Sequence, residues 1–219
     1  DWKMIRIIYR VGFPSIIMQS IGSVMNYGMN LILMGFSSTA VAVFGVYYKL
    51  QSIIFMPIFG LNGGVIPIVA YNYGAGKRKR IYETIKLSII VAEVLMFIGM
   101  ILFVFFPEPL LKMFSASDTM LEVGSHALRV ISVHFLIAGI CIIIGRVFQA
   151  LGNGVYSLIV SVMRQLVVLL PAAFLLAKFF GLNAVWWSFP IAEVMSFAVT
   201  MICFLRIKKQ IIDNIPLGE

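Results

Sequence analysis

From Thr39 to Arg80 the chain reads TAVAVFGVYYKLQSIIFMPIFGLNGGVIPIVAYNYGAGKRKR, an apolar run that ends at Tyr73 and meets the basic block Lys77-Arg78-Lys79-Arg80. As one helix the run from Thr39 to Tyr73 would extend about 52 Å, longer than the roughly 30 Å hydrocarbon core of a bilayer. Pro57, Gly60, Gly63, Gly64 and Pro67 leave room for one bent helix or for two shorter passes. Charge distinguishes them. With a single crossing, Lys3, Arg6 and Arg10, the Lys77 block, and Arg206, Lys208 and Lys209 share one side, whereas Glu108, Lys112, Asp118 and Lys178 fall on the other. Two crossings would set the N-terminal basic group against the Lys77 block. The positive-inside rule selects the single crossing and predicts that both termini are cytoplasmic.

The composition requires a membrane. Hydrophobic residues make up 61% of the 219 positions and charged residues 12%, and mean hydropathy is +1.02. Soluble domains run near half apolar and a quarter charged, so too little charge is present to cover a water-facing surface. A soluble enzyme, a disordered regulator and a secreted disulfide scaffold are excluded. The net charge of +8 sits in short clusters between apolar runs, with no aromatic-interleaved basic stripe of the kind that binds nucleic acid. The chain begins with Asp1 and carries no signal peptide at its start, and we expect it to be a piece of a longer polypeptide.

Six spans are expected, at about 11–36, 39–73, 81–106, 120–151, 156–180 and 184–205, in an all-α integral membrane protein of the multi-pass, cell-membrane type. Closed barrels need a period-two alternation that these runs lack. Between the third and fourth spans, Leu110, Leu111, Met113 and Phe114 follow Pro107 and Pro109, and a short helix in the outer interface is expected there. Trp186 and Trp187 are expected in an aromatic belt. Cys141 and Cys203 match no metal or redox spacing and are expected to be small core residues.

Polar side chains inside spans face other helices or water, because hydrocarbon cannot satisfy them. The first span carries Ser15, Gln19, Ser23, Asn26 and Asn30 on one helical stripe, with Met18, Met25 and Met29 beside it. The stripe reads as the wall of a substrate cavity or, alternatively, as interhelical hydrogen-bonding glue. Gln51 on the second span, Ser157, Ser161, Arg164 and Gln165 on the fifth, and Glu193, Ser196 and Thr200 on the sixth extend the pattern. Among charged residues, Lys49 and Glu193 both lie about 14 Å deep and are expected to pair. Glu93 and Arg164, at about 18 Å and 12 Å from the opposite side, are expected to form a second pair. The competing reading makes Glu93 and Glu193 carboxylates that exchange a proton or cation during transport. His134 has the chemistry of a proton relay, and His126 near the outer interface is a weaker candidate.

No HExxH, GxSxG, GxxxxGK[ST] or paired-aspartate motif is present, so no enzyme is expected, and neither a cofactor nor a metal site. Six kinked helices with polar stripes read as half of a transporter built from repeated lobes.

The stretch Gly60-Leu61-Asn62-Gly63-Gly64-Val65-Ile66-Pro67-Ile68-Val69-Ala70-Tyr71-Asn72-Tyr73-Gly74-Ala75-Gly76-Lys77-Arg78 resembles the signature with which helices of the multidrug and toxic compound extrusion (MATE) family exit into the cytoplasm. Phe148-Gln149-Ala150-Leu151-Gly152-Asn153 resembles a second family element, and Arg10-Val11-Gly12-Phe13-Pro14 resembles the opening of a lobe. The resemblance covers essentially the whole chain. It implies a twelve-helix antiporter of two lobes, with this chain the C-terminal lobe and the N-terminal lobe absent. It also implies export of amphipathic or cationic small molecules, driven by Na+ or H+. Pro67, Tyr71, Asn72, Gly74 and Gly76 would then be architectural: glycines permit a tight helix exit, and the basic block anchors it at anionic headgroups. One departure is that some members carry a carboxylate in the lobe's first helix, where this chain has Gln19, Asn26 and Asn30. That moves the expected coupling site to the absent lobe. Two alternatives remain: a flippase for anionic lipid-linked oligosaccharide precursors, favoured by Lys49 and Arg164, and a non-transporting membrane scaffold.

Overall fold

The computed structural model describes residues 2–215; the side chains of Lys3, Ile7, Ile8, Arg10, Val11, Gly12, Pro14 and Ser15 lie outside that description. Among the described residues ten α-helices follow one another: α1 (Trp2–Met34), α2 (Ser38–Gly74), α3 (Arg78–Phe105), α4 (Pro107–Lys112), α5 (Asp118–Ser132), α6 (Phe135–Ala150), α7 (Gly154–Val162), α8 (Leu170–Phe180), α9 (Leu182–Val185) and α10 (Ser188–Ile207). Two π-helical stretches, Met163–Leu169 and Lys208–Ile212, continue α7 into α8 and extend α10.

α2 runs unbroken from Ser38 to Gly74 through Pro57 and Pro67, one helix and not two. Ser37 caps its start, Oγ accepting from Ala40 N at 3.1 Å. Its end is a Schellman turn: Gly76 has φ +68°, Gly76 N donates to Tyr73 O at 3.1 Å, and Lys77 N donates to Asn72 O at 2.8 Å. α6 ends in the same way. Gly152 has φ +76°, its N donates to Gln149 O at 3.0 Å, and Asn153 N donates to Phe148 O at 2.8 Å. Two of the three sequence elements that carried the family resemblance are therefore helix terminators built on a left-handed glycine.

Among the described residues Ser38–Gly74, Arg78–Phe105, Gly154–Phe180 and Leu182–Ile212 are each long and apolar enough to cross a membrane, and the pair α5–α6, bent by 51° at its break, meets the same test when taken together. α1 has the length, 33 residues, but Gln19, Asn26 and Asn30 dilute its apolar content. It also begins earlier than expected, so Pro14 lies inside the helix and not in its first turn.

The expected fourth span is broken in the middle. At the break Ser132 Oγ donates to Arg129 O at 3.0 Å, and His134 Nδ1 meets Ile131 O. The backbone tightens to i→i−3 bonds, Val133 N to Val130 O and His134 N to Ile131 O. Side chains that compete for helix carbonyls bend helices without proline, which is why the apolar pattern gives no warning here. The fifth span has a different irregularity. Pro171 enters α8 without an N–H for the preceding turn, and the helix widens to π geometry over Met163–Leu169.

Two apolar clusters hold the rods together. The larger centres on Tyr47, Phe55, Phe103, Phe135, Trp186 and Phe189, with ring centroids 5.2 Å apart for Phe103–Phe135 and 5.5 Å for Tyr47–Phe189. The smaller joins Val69 at the end of α2 to Ile81, Leu151, Ile207 and Ile212. That end also carries Arg78, whose guanidinium pairs with the Asp213 carboxylate and donates to Asp213 O at 3.2 Å, while Tyr82 Oη donates to Asp213 Oδ1 at 2.8 Å. The Lys77 block and the C-terminal tail therefore lie at one end of the bundle. Large apolar side chains such as Ile53, Leu87, Phe105 and Ile202 stay exposed on its outside, as a lipid-facing surface requires.

Trp186 corrects the aromatic-belt expectation. It is 0% exposed and sits in the larger core, while its neighbour Trp187 is 47% exposed. Consecutive residues here point to different sides, so one indole packs and only the other faces outward.

Candidate functional site

A cavity of about 560 Å³ opens between α1, α2, α6, α7, the first π-helical stretch and α10. Each wall follows from local structure. α6 presents Cys141, Ile142, Gly145, Arg146 and Gln149 along one face. α7 is held against it by Ser157 Oγ, which donates to Gly145 O at 2.6 Å. The π-helical stretch contributes Arg164, Gln165 and Leu169, its wider turn presenting residues that α-periodicity would have spread round the helix. α2 adds Tyr48, Gln51, Ser52, Phe55 and Phe59, and α10 adds Phe189, Glu193 and Ser196.

On the cavity wall Arg164 Nη1 lies 3.4 Å from Glu193 Oε2. The carboxylate is 4% exposed and the guanidinium 29%. Glu193 Oε1 has no hydrogen-bond partner, nor do the buried hydroxyls of Ser196 and Thr200 on the same helix. Their spacing of three and seven residues from Glu193 places all three on one face. These buried oxygens share one protein contact among them, that of the Arg164 guanidinium.

This pair replaces the two pairings expected from depth. Lys49 is exposed, with Nζ 5.9 Å over the Phe114 ring, and no carboxylate lies within ion-pair distance of it among the described residues. Glu93 faces α6 instead: a Cβ built at Gly139 would lie 2.5 Å from its Oε1, which is buried without a partner. The physical reason is the packing of α10 against the π-helical stretch, which brings Arg164 to Glu193 and away from α3.

Of the candidate cavity residues, Gln19, Gln51, Ser161 and Arg164 line the cavity, with Ser157, Gln165, Ser196, Met18 and Met25. Ser23 is exposed and Asn26 turns Nδ2 onto its own helix at Gly22 O, 3.2 Å. Neither they nor Asn30 line it, Met29 is in the core, and Ser15 lies outside the described residues. The stripe is longer than the cavity. His134 also lines the cavity, buried at the α5–α6 break with its ring 6.1 Å from Phe189; His126 is exposed. Of the motif residues, Pro67, Tyr71 and Gly74 are exposed, and Asn72 is buried with Nδ2 donating to Ile68 O at 2.8 Å. None of them reaches the cavity. Among the described residues no group of three His, Cys, Asp or Glu side chains comes together to hold a metal.

The sequence reading missed Arg146, whose Nη1 donates to Gln149 Oε1 at 3.0 Å. The signal was available: it is a charge inside an apolar run, the same criterion that singled out Arg164.

Membrane-length helices pack about a cavity of mixed apolar and polar lining with an ion pair on its wall, the architecture of one lobe of an integral membrane transporter. The family model MatE matches residues 14–175, and the chain belongs to that family. It is 30% identical over 213 residues to the multidrug export protein MepA of Staphylococcus saprophyticus, covering 97% of this chain and 47% of the relative. The corresponding figures for MepA of Staphylococcus haemolyticus are 29%, 99% and 48%. Among solved structures, the MATE multidrug transporter DinF-BH matches with TM-score 0.82 and 34% identity over 94% of this chain and 46% of that one. A MOP superfamily transporter from Pyrococcus furiosus shares the fold, with TM-score 0.88 and 20% identity over 98% and 48%. The chain spans about half the length of the curated relatives it matches.

Proposed function

We propose that this chain is the C-terminal lobe of a cell-membrane multidrug exporter, working by cation antiport with a second, N-terminal lobe. The MepA relatives are multidrug export proteins, and the chain's cavity has the mixed lining such a task needs. Phe55, Phe59 and Phe189 supply apolar surface, while Gln19, Gln51 and Ser161 supply hydrogen bonds. The observation that carries the reading is the Arg164–Glu193 pair on that wall, since ionisable groups at membrane depth mark transport paths. Amphipathic molecules would occupy the cavity from the basic, cytoplasmic side, and alternating access would release them outside.

Glu193 and Glu93 are the lobe's candidates for answering to Na+ or H+, because each has a buried carboxylate oxygen without a partner. His134 beside Phe189 is the third.

The test is drug export by the full-length transporter at matched expression. Ser161→Trp fills the cavity and should abolish export, whereas Leu87→Ala on the exposed face should not alter it. Export unchanged by Ser161→Trp would remove the cavity from the transport path. Coupling that persists under an imposed Na+ or H+ gradient in Glu193→Gln and Glu93→Gln would assign it to the other lobe.

A further inference from the structure

A second hollow lies away from the cavity. It is a groove of about 340 Å³ between α3 and the end of α10, with Tyr82, Ile85, Lys86, Ile89 and Ile90 on one wall and Phe204 and Lys208 on the other. α6 separates it from the cavity. Ile140, Ile144 and Val147 of α6 pack with Ile85 in the smaller apolar cluster, whereas Cys141, Gly145 and Gln149 line the cavity. At about 3.6 residues per turn these two sets face roughly opposite sides of the helix. α3 contributes no residue to the cavity. The lobes of a two-lobe carrier meet about their central cavity, so the groove lies behind α6 and faces lipid, whatever the second lobe adds to the cavity.

The groove is graded along the membrane normal. Lys208 sits level with Tyr82, Nζ 5.9 Å over the ring, and Lys86 follows Tyr82 by one turn on the same face. Ile89 and Ile90 continue about 5 Å deeper, and Phe204, one turn before Lys208, closes the apolar part from the α10 side. The Asp213 carboxylate is engaged by Arg78 and Tyr82, and Glu83 does not line the groove, so its two charges are both ammoniums.

We propose that this groove binds one anionic phospholipid of the leaflet at the basic end of the bundle, its phosphate between Lys86 and Lys208 and an acyl chain along Ile85, Ile89, Ile90 and Phe204. The positive-inside rule makes that leaflet cytoplasmic. The inference rests on the chain being one lobe about a central cavity, and not on what the cavity carries. Exposed basic residues such as Lys77, Lys79 and Arg80 concentrate anionic lipid near this end without placing it. The groove adds a seat for one molecule, because its ammoniums lie toward the headgroups and its apolar wall continues toward the chains. A free phosphate would match the lysines and leave that wall unused. Bound there, the lipid bridges α3 to α10 where the groove keeps them apart.

The test uses the purified full-length transporter in phosphatidylcholine nanodiscs doped with a phosphatidylglycerol that carries a diazirine in one acyl chain. Photo-crosslinks mapped by mass spectrometry should concentrate on residues 85–90 and on Phe204. The phosphatidylglycerol fraction that gives half-maximal labelling should rise about fivefold in Lys86→Gln or Lys208→Gln and about twenty-five-fold in the double variant, at roughly 1 kcal/mol per lysine near a membrane surface. Lys86→Arg should keep the wild-type value, and Lys178→Gln, in the last turn of α8, should not change it. Labelling around the exposed Phe105 of α3 by the matching phosphatidylcholine probe reports that each variant is folded and inserted. Equal groove labelling by the two probes would overturn the proposal, as would a phosphatidylglycerol preference that survives the double variant. Competition by soluble glycerol phosphate would overturn it in favour of a free phosphate, and a groove labelled by neither probe would show it covered by protein. The export test at Ser161 reads the cavity separately, so either reading can fail alone.

Discussion

Arg164 on a π-helical stretch and Glu193 on α10 share a single contact, Nη1 to Oε2 at 3.4 Å, although 29 residues separate them. The second carboxylate oxygen is buried and unpartnered. A one-contact pair with an orphan oxygen holds two helices together while leaving capacity for another ligand, and its energetics are directly measurable. Arg164→Gln would strand a carboxylate that is 4% exposed and should destabilise the full-length protein by about 2 kcal/mol or more. Arg164→Gln combined with Glu193→Gln should cost less than the sum of the two single changes, read as thermal unfolding in detergent. Additive losses would mean the pair does not couple.

The two Schellman glycines give a second test. Gly76 and Gly152 adopt φ of +68° and +76°, where a Cβ costs roughly 1–2 kcal/mol. Gly76→Ala and Gly152→Ala should each lower the melting temperature. Gly74→Ala, inside α2 with open space around it, should be neutral or slightly stabilising. Equal effects at Gly74 and Gly76 would contradict the terminator role.

Asp213 bonds to both Arg78 and Tyr82 at the basic end of the bundle. The contact is partly exposed, so Asp213→Asn should change global stability by less than about 1 kcal/mol. It should still release the tail locally. Hydrogen exchange should accelerate over Lys208–Ile212 and stay unchanged in the cluster around Phe135.

Cys141 lines the cavity and Cys203 does not, although both thiols are free and buried. A small maleimide should modify both slowly. A bound substrate should protect Cys141 and leave the rate at Cys203 unaltered, as measured by mass spectrometry of the labelled peptides.

Gly139 fits against Glu93 because it has no side chain; an added Cβ would approach Oε1 to 2.5 Å. Oε1 ends a flexible side chain that can swing aside, so Gly139→Ala should destabilise the protein only mildly, and Glu93→Ala should relieve much of that loss in the double variant. No rescue would place the strain elsewhere.

Much of this molecule can be read directly from the residues. Hydrocarbon cannot satisfy a polar backbone or a charge, so a lipid-facing span announces itself as a local apolar run, as α2 and α3 do, whereas α1 with Gln19, Asn26 and Asn30 does so less clearly. The single α2, the glycine exits at Gly76 and Gly152, the half-transporter length and the MATE resemblance all follow from residues close in sequence. Tertiary structure decided the rest. Glu193 took Arg164 in place of Lys49, Trp186 went into the core beside an exposed Trp187, and Arg146 joined the cavity wall. Each of those outcomes depends on how far a helix is rotated and shifted against a partner distant in sequence. The irregular turns at Ser132–His134 and Met163–Leu169 set that rotation, through side-chain hydrogen bonds and a proline that an apolar periodicity does not record.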